Sequence, residues 1–320
     1  MINHQDSNLF NSWNNRLKIT PKDLEFRNKQ SKDLPVIHRE DLKNKYLGSL
    51  VSCINLPGYI NLLEDNNIGI IEKNRSVILK CNGNPVGAVI RDAAPTSVLK
   101  HFGAKIKVTL GSHYPIKRGF KHVSYGLMAV HGSCANRTNP PTDTYAYKED
   151  LDPHEQRVYD MDGNTLGKWL FEYGKNYLPD AALSYEVFKD NLNLDDDDFF
   201  GAVFCTKNYQ AAGHVDKNRS EWAIGYVYDE GDLNNNDGYF FYPEYGVAIE
   251  LTSNSIWCWL TQAVHGTAKL NTESGNRYTA VLTLTERTAT SIENRKKRNN
   301  WIFFLIIAIG IFQFFQFQTF

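Results

Sequence analysis

The triplet His214-Val215-Asp216 sets an imidazole and a carboxylate two residues apart. In an extended strand, residues two apart project from the same face, so both groups can reach one metal ion. A third ligand must come from elsewhere in the chain, and His265, within Ala263-Val264-His265-Gly266-Thr267, is the candidate. Two imidazoles and one carboxylate make a facial set with three coordination positions left open. That suits a non-haem Fe(II) that must bind a chelating cosubstrate and O2 together. Such a triplet alone occurs by chance in many proteins; its weight here comes from the residues downstream of it. Arg277 stands twelve residues after His265 and opens the run Arg-Tyr-Thr-Ala-Val-Leu-Thr. A permanently charged, planar guanidinium at that point can pair bidentately with a carboxylate inside the fold. Thr279 shares its face by the two-residue period and can donate a hydroxyl to the same group.

These residues need strands to hold them. Between Phe199 and Glu286, short β-branched and aromatic runs alternate with Gly- and Asn-bearing separators. The pattern predicts strands near 202–209, 222–228, 239–242, 246–251, 255–260 and 277–286, as in a β-sandwich or a jelly-roll barrel. Earlier runs at 68–71, 76–80 and 86–90 read as strands, the last two joined by a hairpin at Asn82-Gly83. The middle of the chain reads as helical. Asp152-Pro153 makes an N-cap and first-turn start, and apolar residues recur at helical spacing through 165–173 and Asp180 to Leu192. The charge run Asp195–Asp198 lacks the alternating ligand spacing of an EF-hand loop and reads as a solvated turn. The expected organisation is a polar arm over 1–50, a globular α+β domain over 51–290 whose β-core is mainly 199–287, and a basic linker with an apolar tail over 291–320.

Composition narrows the class. Eighteen Phe, seventeen Tyr and six Trp favour β-structure over a simple helical bundle. A net charge of −1 argues against coating nucleic acid through bulk charge. It leaves room for a local basic stretch, for which Lys105, Lys107, Lys117, Arg118 and Lys121 qualify. Five scattered cysteines without a CxxC pair are neither a disulfide framework nor a thiolate zinc site, so a reducing compartment is expected. From Trp301 the chain reads WIFFLIIAIGIFQFFQFQTF, preceded by Arg295, Lys296, Lys297 and Arg298. Twenty helical residues span about 30 Å, and the basic flank suits a cytosolic face. A C-terminal transmembrane helix is therefore expected, with the folded domain in the cytosol or nucleoplasm. Gln313, Gln316 and Gln318 interrupt the apolar run, and leave a final amphipathic helix, or a tail translated from a wrong reading frame, as alternatives.

The order HxD, then a histidine about fifty residues on, then an arginine shortly after, resembles the double-stranded β-helix oxygenases that use Fe(II) and 2-oxoglutarate. Asn208-Tyr-Gln-Ala-Ala-Gly-His-Val-Asp216, Phe240-Phe-Tyr-Pro-Glu-Tyr-Gly246, Trp257-Cys-Trp259 and His265-Gly-Thr267 are similar to a Tet-like branch related to the TET/JBP nucleic-acid base oxygenases. The likeness is firm over roughly 200–290 and looser back to about residue 50. It implies a double-stranded β-helix (jelly-roll) core flanked by helices, with iron on His214, Asp216 and His265. It implies 2-oxoglutarate clamped by Arg277 with Thr279, and a hydroxylation whose substrate is a methylated nucleic-acid base. Asn208 would then read a base edge, and Trp222, Trp257 and Trp259 would supply apolar walls. No obligate protein partner is implied. An apolar tail pulls against a chromatin substrate, so a hydroxylase of a small molecule, lipid or protein at a membrane surface is the rival. A catalytically inactive, transposon-derived β-helix binding protein is the non-enzymatic alternative.

Overall fold

The computed structural model describes residues 36–38, 69–132, 166–193 and 202–317, apart from short gaps within these ranges, with side chains described as far as Ile302. Asp152-Pro153, Lys121, the Asp195–Asp198 run and all of the polar arm except 36–38 lie outside the described residues.

The chain builds β1 (Val36–His38), β2 (Gly69–Ile71), β3 (Val77–Cys81) and β4 (Asn84–Ile90), then helix α1 (Thr96–Ser112). β5 (Ile116–Phe120) and β6 (Ser124–Gly132) come next, and then α2 (Pro179–Leu192). The second half adds β7 (Ala202–His214), β8 (Trp222–Gly231), β9 (Tyr239–Tyr242), β10 (Val247–Glu250) and β11 (Ser255–Leu260). The described chain ends with β12 (His265–Thr267), β13 (Gly275–Thr283) and α3 (Glu286–Phe317). The result is a mixed α+β, strand-rich molecule whose sheet curls on itself in the manner of a jelly roll. The strands run in the order β1-β3-β4-β11-β8-β13-β7-β12-β9-β10-β2, with β6 and β5 added beside β7.

β7 is where the sheet turns its corner. Residues 202–207 pair with β13; beyond them, Ala211 and His214 pair with β12 instead. Asn208 sits at the break with φ +51°, and Gly126, with φ +102°, lies where the β6–β7 register slips. Asn and Gly are the residues that tolerate this left-handed region. A Cβ on Gly126 would come within 2.6 Å of the Asn208 carbonyl oxygen. This bulge bends β7, so that β11-β8-β13 faces β12-β9-β10 across an interior. Phe240 on β9 accordingly meets Trp257 and Trp259 of β11, at ring-centroid separations of 6.1 and 5.0 Å.

The two-residue period sorts the side chains of β13. Tyr278, Ala280 and Leu282 face outward into a core shared with Phe102, Ile106 and Leu110 of α1 and with Tyr185 and Phe188 of α2. Arg277, Thr279, Val281 and Thr283 face inward and line a cavity. α1 comes close to the sheet because Gly103 leaves room for Tyr228, whose ring a Cβ there would meet at 2.6 Å. On α2, Pro179 occupies the first turn and Asn193 closes the helix in the left-handed region. Tyr185, fully buried, donates its hydroxyl between the Trp222 and Leu282 carbonyls at 3.0 and 3.1 Å, tying α2 to β8 and β13. Truncating it to Ala removes a large buried ring and this bond. Tyr185→Ala is therefore expected to cost about 3–5 kcal/mol, read as a lower denaturation midpoint at unchanged m.

The packed start of α3 buries Ala289 and Ile292, and Arg219 bridges it at Glu286 and Glu293. The Arg219 bond holds the Glu286 carboxyl below its usual range. Because the folded value is the depressed one, the contribution is fully present above the ordinary value of 4.5 and is lost as pH falls through the folded value. The stability difference between the native protein and Arg219→Ala should shrink across that acid window in pH-dependent denaturation. Trp301 and Ile302 then stand exposed on α3. Among the described residues, no helix is long and apolar enough to cross a membrane; the side chains of the apolar tail beyond Ile302 lie outside them.

Candidate metal centre

The bend in β7 brings His214 opposite His265 as cross-strand partners, and the chain continues at once into Asp216. Ligand atoms of His214, Asp216 and His265 all lie within 4.8 Å of one another. His214 Nε2 stands 3.6 Å from Asp216 Oδ1, and His265 Nε2 stands 3.4 Å from Asp216 Oδ2. The His265 ring is buried, and its Nδ1 lies 2.9 Å from the Ala263 carbonyl oxygen. A carbonyl only accepts, so Nδ1 carries the proton and the Nε2 lone pair is left to face the cluster. This is the ring orientation a metal-binding imidazole requires.

Asp216 is fixed with equal care. Its backbone N–H donates to the Thr261 carbonyl at 2.9 Å, and its own carbonyl accepts from Gln262 Nε2 at 3.0 Å. Burial by itself would raise the carboxyl's pKa. While the imidazoles are protonated and no metal occupies Nε2, the bond from His265, the charges of His265 and His214 and the side chain of Asn218 outweigh it and hold the group below its usual range. Asn218 Nδ2 also donates to Thr283 Oγ1 at 2.6 Å, joining this loop to β13. The donor set, the tautomer and the partly open faces of His214 and Asp216, each about one-third exposed, fit a divalent ion with free coordination positions.

The three residues share a cavity of about 230 Å³ with Arg277, Thr206, Thr279, Val281, Thr283, Phe240, Trp257 and Trp259. Thr206 and Thr279 sit opposite one another on β7 and β13, with their hydroxyls 2.5 Å apart and buried. Trp257 and Trp259 stack at 5.4 Å. Gly225 makes this possible, since a Cβ there would lie 2.4 Å from the Trp257 ring. Trp222, by contrast, is packed in the outer core against the helices.

Arg277 is buried and held on several sides. Its Nε and Nη2 donate to Asp229 Oδ1 and Oδ2 at 2.8 and 3.0 Å, Nη2 donates again to the Leu251 carbonyl at 2.6 Å, and Nη1 donates to the Gly238 carbonyl at 2.8 Å. The sequence pattern predicts a carboxylate on this guanidinium; in the structure the one it meets is Asp229, its cross-strand partner on β8. Asn208, expected to face substrate, instead accepts from the Arg277 backbone N–H at 2.9 Å and donates to Asn276 at 2.8 Å. Its amide thus pins the start of β13 to the bulge. The basic stretch is divided between α1, where Lys107 pairs with Glu230, and β5, which carries Lys117 and Arg118. Asp229 and Asn218 are not marked by the sequence, because a lone acid or amide near a turn carries no periodic signal.

No protein-family model matches the chain, and no curated protein matches it in sequence. Among solved structures it is similar to NgTET1 in complex with 5mC DNA, at 12% identity over 78% of this chain and 92% of that one, with a TM-score of 0.46. It is also similar to a Pseudomonas putida prolyl-4-hydroxylase, at 11% identity over 63% and 93% of the two chains and a TM-score of 0.39. A third likeness is to the α-ketoglutarate-dependent carbocyclase SnoK from nogalamycin biosynthesis, at 8% identity over 62% and 79% and a TM-score of 0.37. At these identities the likeness concerns the course of the chain alone.

Proposed function

We propose that the protein is an Fe(II)- and 2-oxoglutarate-dependent oxygenase on a double-stranded β-helix, hydroxylating an organic substrate at the mouth of its cavity. The observation that chiefly supports this is the convergence of His214, Asp216 and His265 on the wall of a cavity that also holds Arg277 and Thr279. Bound iron supplies oxygen activation at the positions that two imidazoles and a carboxylate leave open. The remaining work belongs to the chain. Arg277 and the Thr206–Thr279 hydroxyl pair offer donors to the distal carboxylate of the cosubstrate. Asn218 keeps the Asp216 carboxylate aimed, and Phe240, Trp257 and Trp259 keep that end of the cavity dry, where electrostatic contacts are stronger than in water.

Apart from the three ligands and Arg277, the described lining carries no ionisable group other than Tyr209, which favours an uncharged reacting group on the substrate. A methylated nucleic-acid base, neutral and flat, meets that condition once it is turned out of its stack. A small-molecule, lipid or protein hydroxylase is the second reading, and the exposed Trp301 and Ile302 beside Arg295–Arg298 favour it. On that reading the tail anchors the enzyme to a membrane. Succinate release from the Fe(II)-loaded full chain, measured with methylated DNA and RNA, lipids and peptides, tests both; release with none of them overturns the enzymatic reading. Deleting Trp301–Phe320 should shift the protein from the membrane to the soluble fraction of a cell lysate with turnover retained. Full-length protein already in the soluble fraction would contradict the anchor.

A further inference from the structure

A guanidinium has five N–H donors in fixed directions, and the bonds around Arg277 use four of them. Asp229 takes the whole Nε/Nη2 edge, while the Leu251 and Gly238 carbonyls take one donor each from Nη2 and Nη1. One N–H on Nη1 remains uncommitted. The Arg277 and Asp229 side chains are 7% and 13% exposed, so the pair is an internal one and its charges cancel. Arg91, also buried, lies close enough to Arg277 to help depress its own pKa to about 10, an effect led by burial and opposed by Glu250. Without Asp229, two cations would share this end of the fold.

We infer that Asp229 is a positioning residue for the cosubstrate. It fixes the plane of Arg277 so that a single Nη1 N–H, in the cavity that Arg277 lines together with Thr279, receives the distal carboxylate, in place of a bidentate fork. This rests on the cosubstrate role proposed for Arg277. Asp229→Asn keeps one acceptor but turns an N–H toward the guanidinium, so the edge-on pairing is lost and the plane is freed. The consequence must be confined to ligands that reach Arg277. Pyruvate offers the same 2-oxo acid chelate as 2-oxoglutarate but has no distal carboxylate.

The test is anaerobic titration of the Fe(II)-loaded full chain with each 2-oxo acid, together with steady-state kinetics. Asp229→Asn should weaken 2-oxoglutarate at least about tenfold, in line with the loss of a charge-assisted hydrogen bond. Pyruvate affinity should stay within about twofold, and the kinetic loss should fall on KM for 2-oxoglutarate more than on kcat. Equal weakening of both acids would show a merely structural role. Unchanged or tighter 2-oxoglutarate binding would show that the carboxylate does not aim the clamp, and either result overturns the inference. If Asp229→Asn does not fold, Asp229→Glu, which keeps the charge but displaces the fork by a methylene, should give the same selective loss. Absence of 2-oxoglutarate binding in the native chain would overturn the oxygenase reading itself, a failure distinct from native binding that Asp229→Asn leaves unaltered.

Discussion

Asp216→Ala is expected to reduce succinate release to background and to lower iron affinity by at least about a hundredfold, a loss beyond the 10- to 100-fold typical of groups that only support a ligand. The carboxylate is the one anionic donor of the set, and it lies against both imidazoles. Removing it leaves two neutral nitrogens and no charge to balance a divalent ion. Asn218→Ala makes the graded comparison. It removes the amide that acts on Asp216 and bonds Thr283 while leaving all three ligands in place. Its effect should fall within that 10- to 100-fold range. Iron titration and then turnover of both variants checks the order, and normal turnover by Asp216→Ala would remove the residue from the metal site.

Arg277→Ala is expected to do two things at once. On the role proposed for Arg277 the cosubstrate loses its charged partner, and Asp229 is left as a buried carboxylate with nothing across from it. Breaking a buried pair on one side costs about 3–5 kcal/mol, a large part of the 5–15 kcal/mol that a domain of ordinary stability possesses. The Gly238 and Leu251 carbonyls lose their donors as well. Replacing both partners with apolar residues of similar size, Arg277→Met with Asp229→Leu, removes the orphaned charge. The double variant should therefore recover most of the lost stability while remaining unable to bind 2-oxoglutarate tightly. Denaturation midpoints and cosubstrate affinity on the same three proteins separate the two effects. Recovery of both together would mean that Arg277 has no role beyond the fold.

The sequence anticipates that His214, Asp216 and His265 come together and that Arg277 and Thr279 share one face of β13, although β7 ends at His214 and Asp216 lies just beyond it. Much of the surrounding sheet is legible too: 239–242 and 255–260 match the pattern, and β8 and β13 differ from it by a few residues. β7 is longer than expected because the bulge at Asn208 continues the strand around a corner, where the sequence suggests an ending. α1 is absent from the sequence pattern, although Val98, Phe102, Ile106 and Leu110 recur every four residues and all four are buried. Its Val, Ile and Thr content and Gly103 run against helix propensity, and packing against β8 and β13 overrides it. The three-residue β12 is too short for any period to show. The surroundings of Arg277 are illegible for a deeper reason. Asp229, Gly238, Leu251 and Asn208 meet it only through the register of β7, β8 and β13 and the loops beside them, and spacing along the chain says nothing of that.

Anaerobic titration of the full-length chain with Fe(II) and then 2-oxoglutarate, monitored by visible charge-transfer absorbance, tests the central claim most directly. Saturation at one 2-oxoglutarate per chain, dependent on iron and abolished by Asp216→Ala, is the expected result. A folded, iron-treated chain that binds no 2-oxoglutarate, or binds it equally well without iron or without Asp216, would contradict the account.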